Sequence, residues 1–187
     1  MTAAPSTAWS VTLDYSHDIA FALAIRDALG FTDPLGLPPI DPPLPLTPLQ
    51  DTVPEIESRW QAWWEFALAS PGHESNAAQS LHGPLGALVR RHSTELLAWS
   101  SQRKRELAKL SRTAPGQPRT RLADAIHEHV RKTGNQFPEF HLTIIAIPVA
   151  GTTFTPVNKS SAIVASIELM RDRNAYFSKI IEHLVGT

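Results

Sequence analysis

Apolar and polar side chains alternate most regularly near the start of the chain, a pattern of period two that is typical of a half-buried strand. The apolar positions of this pattern are Trp9, Val11, Leu13 and Tyr15. The apolar segment 19–29 that follows predicts a largely buried helix. Ser16 is placed to cap its N-terminus and Gly30 to end it, because these residue types suit those two positions.

Three further helices are predicted in the middle of the chain by apolar residues that recur at helical spacing. The first starts near residue 52 in a capping-box pattern and ends before Pro71. The second runs over 81–111 and is long enough to cross a whole domain. The third covers 121–133 and is followed by Gly134, a natural helix stop.

A proline-rich segment separates the first helix from these three. Residues 34–54 hold 8 of the 16 prolines, which excludes a helix or an inner strand there. The segment is also rich in leucine, unlike a solvated linker. We therefore expect an extended strap packed over the surface of the protein itself. The alternative is a ligand for an SH3-like or WW-like groove, since the prolines include PxxP spacings.

The last third of the chain is rich in β-branched residues. Two dense apolar runs, 140–149 and 161–170, predict strands, and 172–185 predicts a final amphipathic helix. With the first strand, this gives an α+β fold in a single domain over residues 1–187. We expect a small, mostly antiparallel sheet of about three strands, packed with five helices of which one is long.

Charge is unevenly distributed along the chain, although the net charge is only −1. Residues 1–87 carry 2 basic and 10 acidic side chains, whereas residues 88–132 carry 11 basic and 4 acidic ones. These two parts either neutralise each other within the fold or leave an open basic surface. If the basic surface is open, the expected ligand is a polyanion such as a nucleic acid, or a charged protein partner. The basic face of the long helix consists of Arg91, Arg105, Lys109 and Arg112.

Several classes of chemistry are disfavoured by what the sequence lacks. Without cysteine there are no disulfides, thiolate metal sites or cysteine nucleophiles. Neither a serine-hydrolase elbow, a P-loop, a dinucleotide-binding glycine motif nor a zincin motif is present. The sequence therefore predicts no cofactor. It also has no apolar run of membrane-spanning length and no secretory signal in residues 1–10, so the expected location is cytoplasmic. A bacterial source is favoured by the preference for arginine over lysine and by the many alanines.

Two polar clusters are the weak candidates for chemistry. Asp14, His17 and Asp18 lie where the first strand meets the first helix, a place suited to acid–base work or to a cation. The simpler interpretation is a helix cap with favourable acidic residues in its first turn. His127 and His129 are two residues apart on a helix and so point away from each other. We therefore predict no metal site there.

Three tryptophans share one face of the helix predicted to start near residue 52: Trp60, Trp63 and Trp64. Such a face belongs to the core or to a protein interface, since tryptophan is enriched in both. The sequence as a whole favours a small cytoplasmic interaction protein that contacts a protein partner or a second copy of itself, with these tryptophans as candidate contact residues. The alternatives are a polyanion-binding module built on residues 88–132 and an enzyme or ligand-binding site at Asp14–Asp18.

Overall fold

The computed structural model describes residues 9–47, 54–69, 77–112, 122–134, 139–157 and 162–186. These residues form four strands, β1 (Trp9–Asp14), β2 (Phe140–Ile147), β3 (Phe154–Pro156) and β4 (Ala162–Ser166). They also form eight helices, α1 (His17–Leu29), α2 (Pro54–Ala69), α3 (Ala77–Ser80), α4 (Gly83–Arg91), α5 (Ser93–Ser111), α6 (Leu122–Thr133), α7 (Ile167–Arg171) and α8 (Arg173–Val185). The predicted mixture of helix and strand is confirmed.

The sheet differs from the predicted one in its strand direction. Its order is β1-β2-β4-β3, in which β1 pairs parallel with β2, β2 pairs parallel with β4, and only β3 and β4 are antiparallel. The prediction of a mostly antiparallel sheet of about three strands was therefore wrong. Parallel neighbours require a long crossover connection, and the helical middle of the chain supplies the one between β1 and β2.

The composition of the central strands fits this arrangement. All five residues of β4 are buried, as are the last four of β2, so both faces of the sheet are covered there. Parallel strands buried on both faces are continuous apolar runs without alternation. The two dense runs seen in the sequence were thus a signal for parallel pairing as well as for strands.

The first strand and the first helix both form as predicted, although Leu13, an apolar position of the strand pattern, is exposed. Ser16 has an extended backbone, and its hydroxyl accepts a hydrogen bond from the Ile19 N–H at 3.4 Å. Gly30 ends α1 with a φ of 70°, in the left-handed region that favours glycine. Both caps are therefore confirmed. They fix the start and the end of a helix that is almost entirely buried.

The predicted long helix over 81–111 is instead two helices, α4 and α5, separated at His92. The His92 backbone leaves the helical range, with φ −104° and ψ 16°. Its ring is buried, and its Nε2 lies 3.3 Å from the carbonyl oxygen of Thr47 in the strap. The polar ring thus finds a partner outside the helix at the position where the helix breaks.

The second predicted strand, 161–170, is also divided. Its strand ends at Ser166, whose buried hydroxyl accepts the Leu169 N–H and so caps α7. The same hydroxyl donates to the Gly151 carbonyl at 2.7 Å and accepts the Thr153 N–H at 3.0 Å. One side chain therefore joins the start of α7 to the loop before β3. Period-two patterning did not reveal this change, because the whole run is apolar.

The strap is described over 34–47, and its residues 39–41 lie against the carboxyl end of β2. Ile40 forms a β-bridge with Val149, just after β2. The Asp41 N–H donates to the Pro148 carbonyl at 2.9 Å, and the Ala150 N–H donates to the Pro39 carbonyl at 2.8 Å. The proline-rich segment is thus packed on the protein through its backbone.

Candidate functional site

The three tryptophans of α2 lie inside the chain. Trp60, Trp63 and Trp64 are 0%, 4% and 1% exposed. The Trp60 ring stacks on that of Trp64, with centroids 5.9 Å apart, and its Nε1 donates to the carbonyl oxygen of Ala22 at 2.8 Å. In the described fold this face binds α2 to α1. The three rings are therefore not exposed to contact a protein partner.

The junction between β1 and α1 is attached to α5 by a small polar network. The buried hydroxyl of Ser100 lies 2.7 Å from Nδ1 of His17 and 3.1 Å from the hydroxyl of Tyr15. Ser100 is completely buried, so both of these side chains point into the protein. The network connects two elements that are more than 80 residues apart in the sequence.

The acidic residues of the junction also have structural surroundings. Asp18 is 4% exposed, and its carboxylate accepts the Ala78 N–H at 3.0 Å, at the start of α3. Asp14 is half-buried at the end of β1. Burial raises the pKa of Tyr15 above its usual range. This arrangement suits the attachment of α3 and α5 to α1.

Ser100 was missed in the sequence because its signal is only partial. It falls on the same helical face as Leu96 and Leu107, which indicates burial but not its partners. Tyr15 and His17 reach it through tertiary packing. The structure thus brings His17 into a network with Tyr15 and Ser100, while the carboxylate of Asp18 contacts α3.

Three of the four predicted basic residues share the outer face of α5. Arg105, Lys109 and the C-cap residue Arg112 are spaced four and three residues apart, and all three are exposed. Arg91 is exposed as well, but it lies in α4, before the break at His92. Arg103 faces inward, is 6% exposed and pairs with Glu106 at 3.0 Å. The exposed cations of α5 are therefore separate from its buried one.

These exposed cations have no counter-charge among the described residues. No ion pair between described residues involves Arg105, Lys109, Arg112 or Arg91. The acidic first part of the chain pairs within itself, as in Arg26 with Asp33, and none of these pairs reaches a cation in 88–132. Over the described ranges, then, none of these four cations forms an ion pair with the acidic first part of the chain.

An apolar side chain extends the same face toward the N-terminus of α5. Leu97 is 52% exposed and lies about two turns before Arg105 on the outer side of the helix. The opposite side of α5 is buried through Leu96, Trp99 and Leu107. We call the exposed row of Leu97, Arg105, Lys109 and Arg112 the α5 face. Leu97 was not identified from the sequence, although its spacing from Arg105 places both on one side.

A groove of about 970 Å³ lies between α6 and α8 and is lined by none of the residues of the α5 face. Apolar side chains line it, including Phe177 and Ile181. Three carboxylates also line it, those of Asp124, Glu128 and Glu182. Lys132 lines it too, and it pairs with Glu128, so the groove carries both signs of charge, whereas the charged residues of the α5 face are all cationic.

The described residues contain no group of three or more His, Asp or Glu side chains arranged to hold a metal ion. They also contain no helix with the length and hydropathy needed to cross a bilayer. Comparison with known proteins finds no matching family model, curated protein or solved structure.

Proposed function

We propose that this chain is an interaction protein that binds an acidic segment of a partner protein through the α5 face. One observation carries the proposal. Arg105, Lys109 and Arg112 lie together on an exposed helix face, and no described carboxylate pairs with any of them. Clustered like charges repel one another, and an acidic partner removes that repulsion.

The presence of Leu97 favours a polypeptide as the partner. An amphipathic segment binds through apolar anchors with charged residues beside them. Leu97 supplies an apolar contact, and the cations begin about 12 Å farther along the helix. An acidic helix with one apolar residue near its end matches this order.

A nucleic acid is the alternative ligand, and the α5 face fits it less well. Single-strand binders place exposed aromatic rings between their cations so that bases can stack. The aromatic ring of α5, Trp99, faces inward, and its Nε1 donates to the Pro42 carbonyl at 3.0 Å. The cationic row from Arg105 to Arg112 is also only about 10 Å long, less than one turn of a duplex.

The test compares two anionic probes by fluorescence anisotropy: labelled poly-L-glutamate and a labelled random-sequence DNA duplex. The variant is the double charge reversal R105E/K109E. The matched control is K132E/K179E, which makes the same charge change at exposed lysines of α6 and α8. We expect poly-L-glutamate binding to weaken at least about tenfold in the first variant and about twofold or less in the control.

The other results each have a defined meaning. Equal weakening in both double variants shows that net charge alone attracts the probe, and the proposed face is then wrong. Binding of DNA without binding of poly-L-glutamate would show that the ligand of the α5 face is a nucleic acid, and the proposal of an acidic protein partner is then wrong. Circular dichroism of both variants is measured to check that the helices are retained.

A further inference from the structure

We propose that the outer edge of β1 pairs antiparallel with the same strand of a second copy of this chain. The product is a two-fold dimer whose two four-stranded sheets join into one. This inference concerns a different surface from the α5 face and does not depend on an acidic partner. It rests on the edge positions of the sheet and on the side chains of Trp9–Asp14.

The two edges of the sheet are protected to different degrees. β3 has only three residues and ends in Pro156, and short strands and proline are devices that block edge pairing. β1 has six residues, with neither proline nor lysine, and it follows β2 without a bulge from Trp9 to Asp14. Among the described residues β1 pairs only with β2. Its outer edge is therefore an extended template for another strand.

The side chains of β1 suit pairing with a copy of itself. A two-fold axis perpendicular to the sheet keeps the same face upward in both copies, so opposed residues differ by an even number. If the axis passes through Val11, then Leu13 lies opposite Trp9 of the second copy. If it passes through Thr12, then Leu13 lies opposite Val11. Either register extends the apolar face across the junction and covers Leu13, which is 41% exposed in the single chain.

Charge does not oppose this pairing. Asp14 is the only ionisable side chain of β1 and lies at its end. In an antiparallel pair the two Asp14 residues therefore lie at opposite ends of the junction. Their Cα atoms are about 13 Å apart in one register and about 20 Å in the other, beyond the range of strong repulsion at physiological salt. On the polar face, the side chains of Ser10 and Thr12 carry no charge.

The absence of native cysteine makes a direct test possible, because each introduced cysteine is the only thiol. We would prepare S10C, V11C, T12C and L13C, with V185C as a control at an exposed site on another element. Each is treated with oxidised glutathione, and the disulfide-linked dimer is measured by non-reducing electrophoresis. We expect rapid cross-linking at residue 11 or at residue 12 only, since residues one step from the axis are already too far apart for a disulfide.

A second measurement uses no disulfide. Sedimentation velocity should show a dimer for the unmodified chain and a monomer for L13K, because an edge lysine blocks strand addition. V185K serves as the matched control and should remain dimeric, since Val185 is 54% exposed and lies in α8. A monomer for the unmodified chain at its highest soluble concentration overturns the proposal. So does a dimer that L13K leaves intact, or cross-linking that is equal at all five cysteine positions.

Discussion

Nη1 of Arg26 donates to Oδ2 of Asp33 at 2.5 Å, and the two side chains are only 4% and 2% exposed. Arg26 also donates to the carbonyl oxygens of Leu37 and Pro38, at 3.1 Å and 2.7 Å. Asp33 in turn accepts the N–H of Leu37 at 3.1 Å. Arg26 also pairs with Asp27 at 2.7 Å, so one buried guanidinium joins two carboxylates to the carbonyls of the turn that begins the strap.

Removing one member of this pair should be strongly destabilising. In Arg26→Ala the Asp33 carboxylate stays buried without its counter-charge, a loss of about 3–5 kcal/mol in the free energy of unfolding. The matched control is Arg59→Ala, which breaks an exposed pair with Glu55 and should cost about 1 kcal/mol or less. Urea denaturation of the two variants measures both values. Similar losses in the two variants would contradict this role for the buried pair.

The buried cap of α7 should matter more than the exposed cap of α8. Ser166→Ala removes the cap and also leaves the Thr153 N–H and the Gly151 carbonyl without their partner, with an expected loss above about 2 kcal/mol. Asp172→Ala removes the exposed cap of α8 and should cost about 1 kcal/mol. Thermal unfolding compares the two. An equal cost would show that the links to the β3 loop contribute nothing.

Both tyrosines of the chain should stay protonated until the protein unfolds. Burial raises the pKa of Tyr15 and of Tyr176 above the ordinary value of about 10. Above about pH 10 the unfolded chain therefore releases protons that the folded chain retains, and stability falls as pH rises. Absorbance at the tyrosinate band should increase together with the loss of helical circular dichroism. Tyrosinate that forms while the helices remain intact would exclude burial as the cause of the raised pKa values.

The tryptophans provide a separate test of the helical core. Trp60, Trp63 and Trp64 are buried, so their emission should be blue-shifted and little quenched by iodide. Trp60→Ala should cost about 3–5 kcal/mol, because a large ring and its hydrogen bond to Ala22 are lost. Phe66→Ala, on the same helix but 52% exposed, should cost far less. Trp9 is only partly buried, so the measurement uses the W9F variant, in which strong quenching by iodide would mean that the α2 face is open.

Features of the fold that depend on neighbouring residues were predictable from the sequence. The presence of β1, the hydroxyl of Ser16 and the position of Gly30 all depend on a few neighbouring residues, and all three are confirmed. The alternation within β1 holds through Thr12 but fails at Leu13, which is exposed. The break at His92 was not predicted, because it coincides with a contact to Thr47, 45 residues away. Strand direction was also missed, since the pairing of β1 with β2 joins residues at opposite ends of the chain.

The candidate surfaces divide in the same way. Helical spacing placed Arg105, Lys109 and Arg112 on one face, and the structure exposes that face. Helical spacing also grouped Arg91 with these three residues. The structure separates it from them, because Arg91 lies in α4, before the break at His92. The environment of His17 depends on Ser100, 83 positions later, and no local pattern could have joined the two.

The pairing of Ser10 with His141 spans 131 positions, and this separation has a consequence for synthesis on the ribosome. When β1 leaves the exit tunnel, the strand that will hold it has not yet been translated. Any nascent chain or proteolytic fragment that ends before residue 140 therefore carries a first strand without its place in the sheet. The sheet can therefore close only after all the residues between β1 and β2 have been translated, and long-range closure of this kind slows folding.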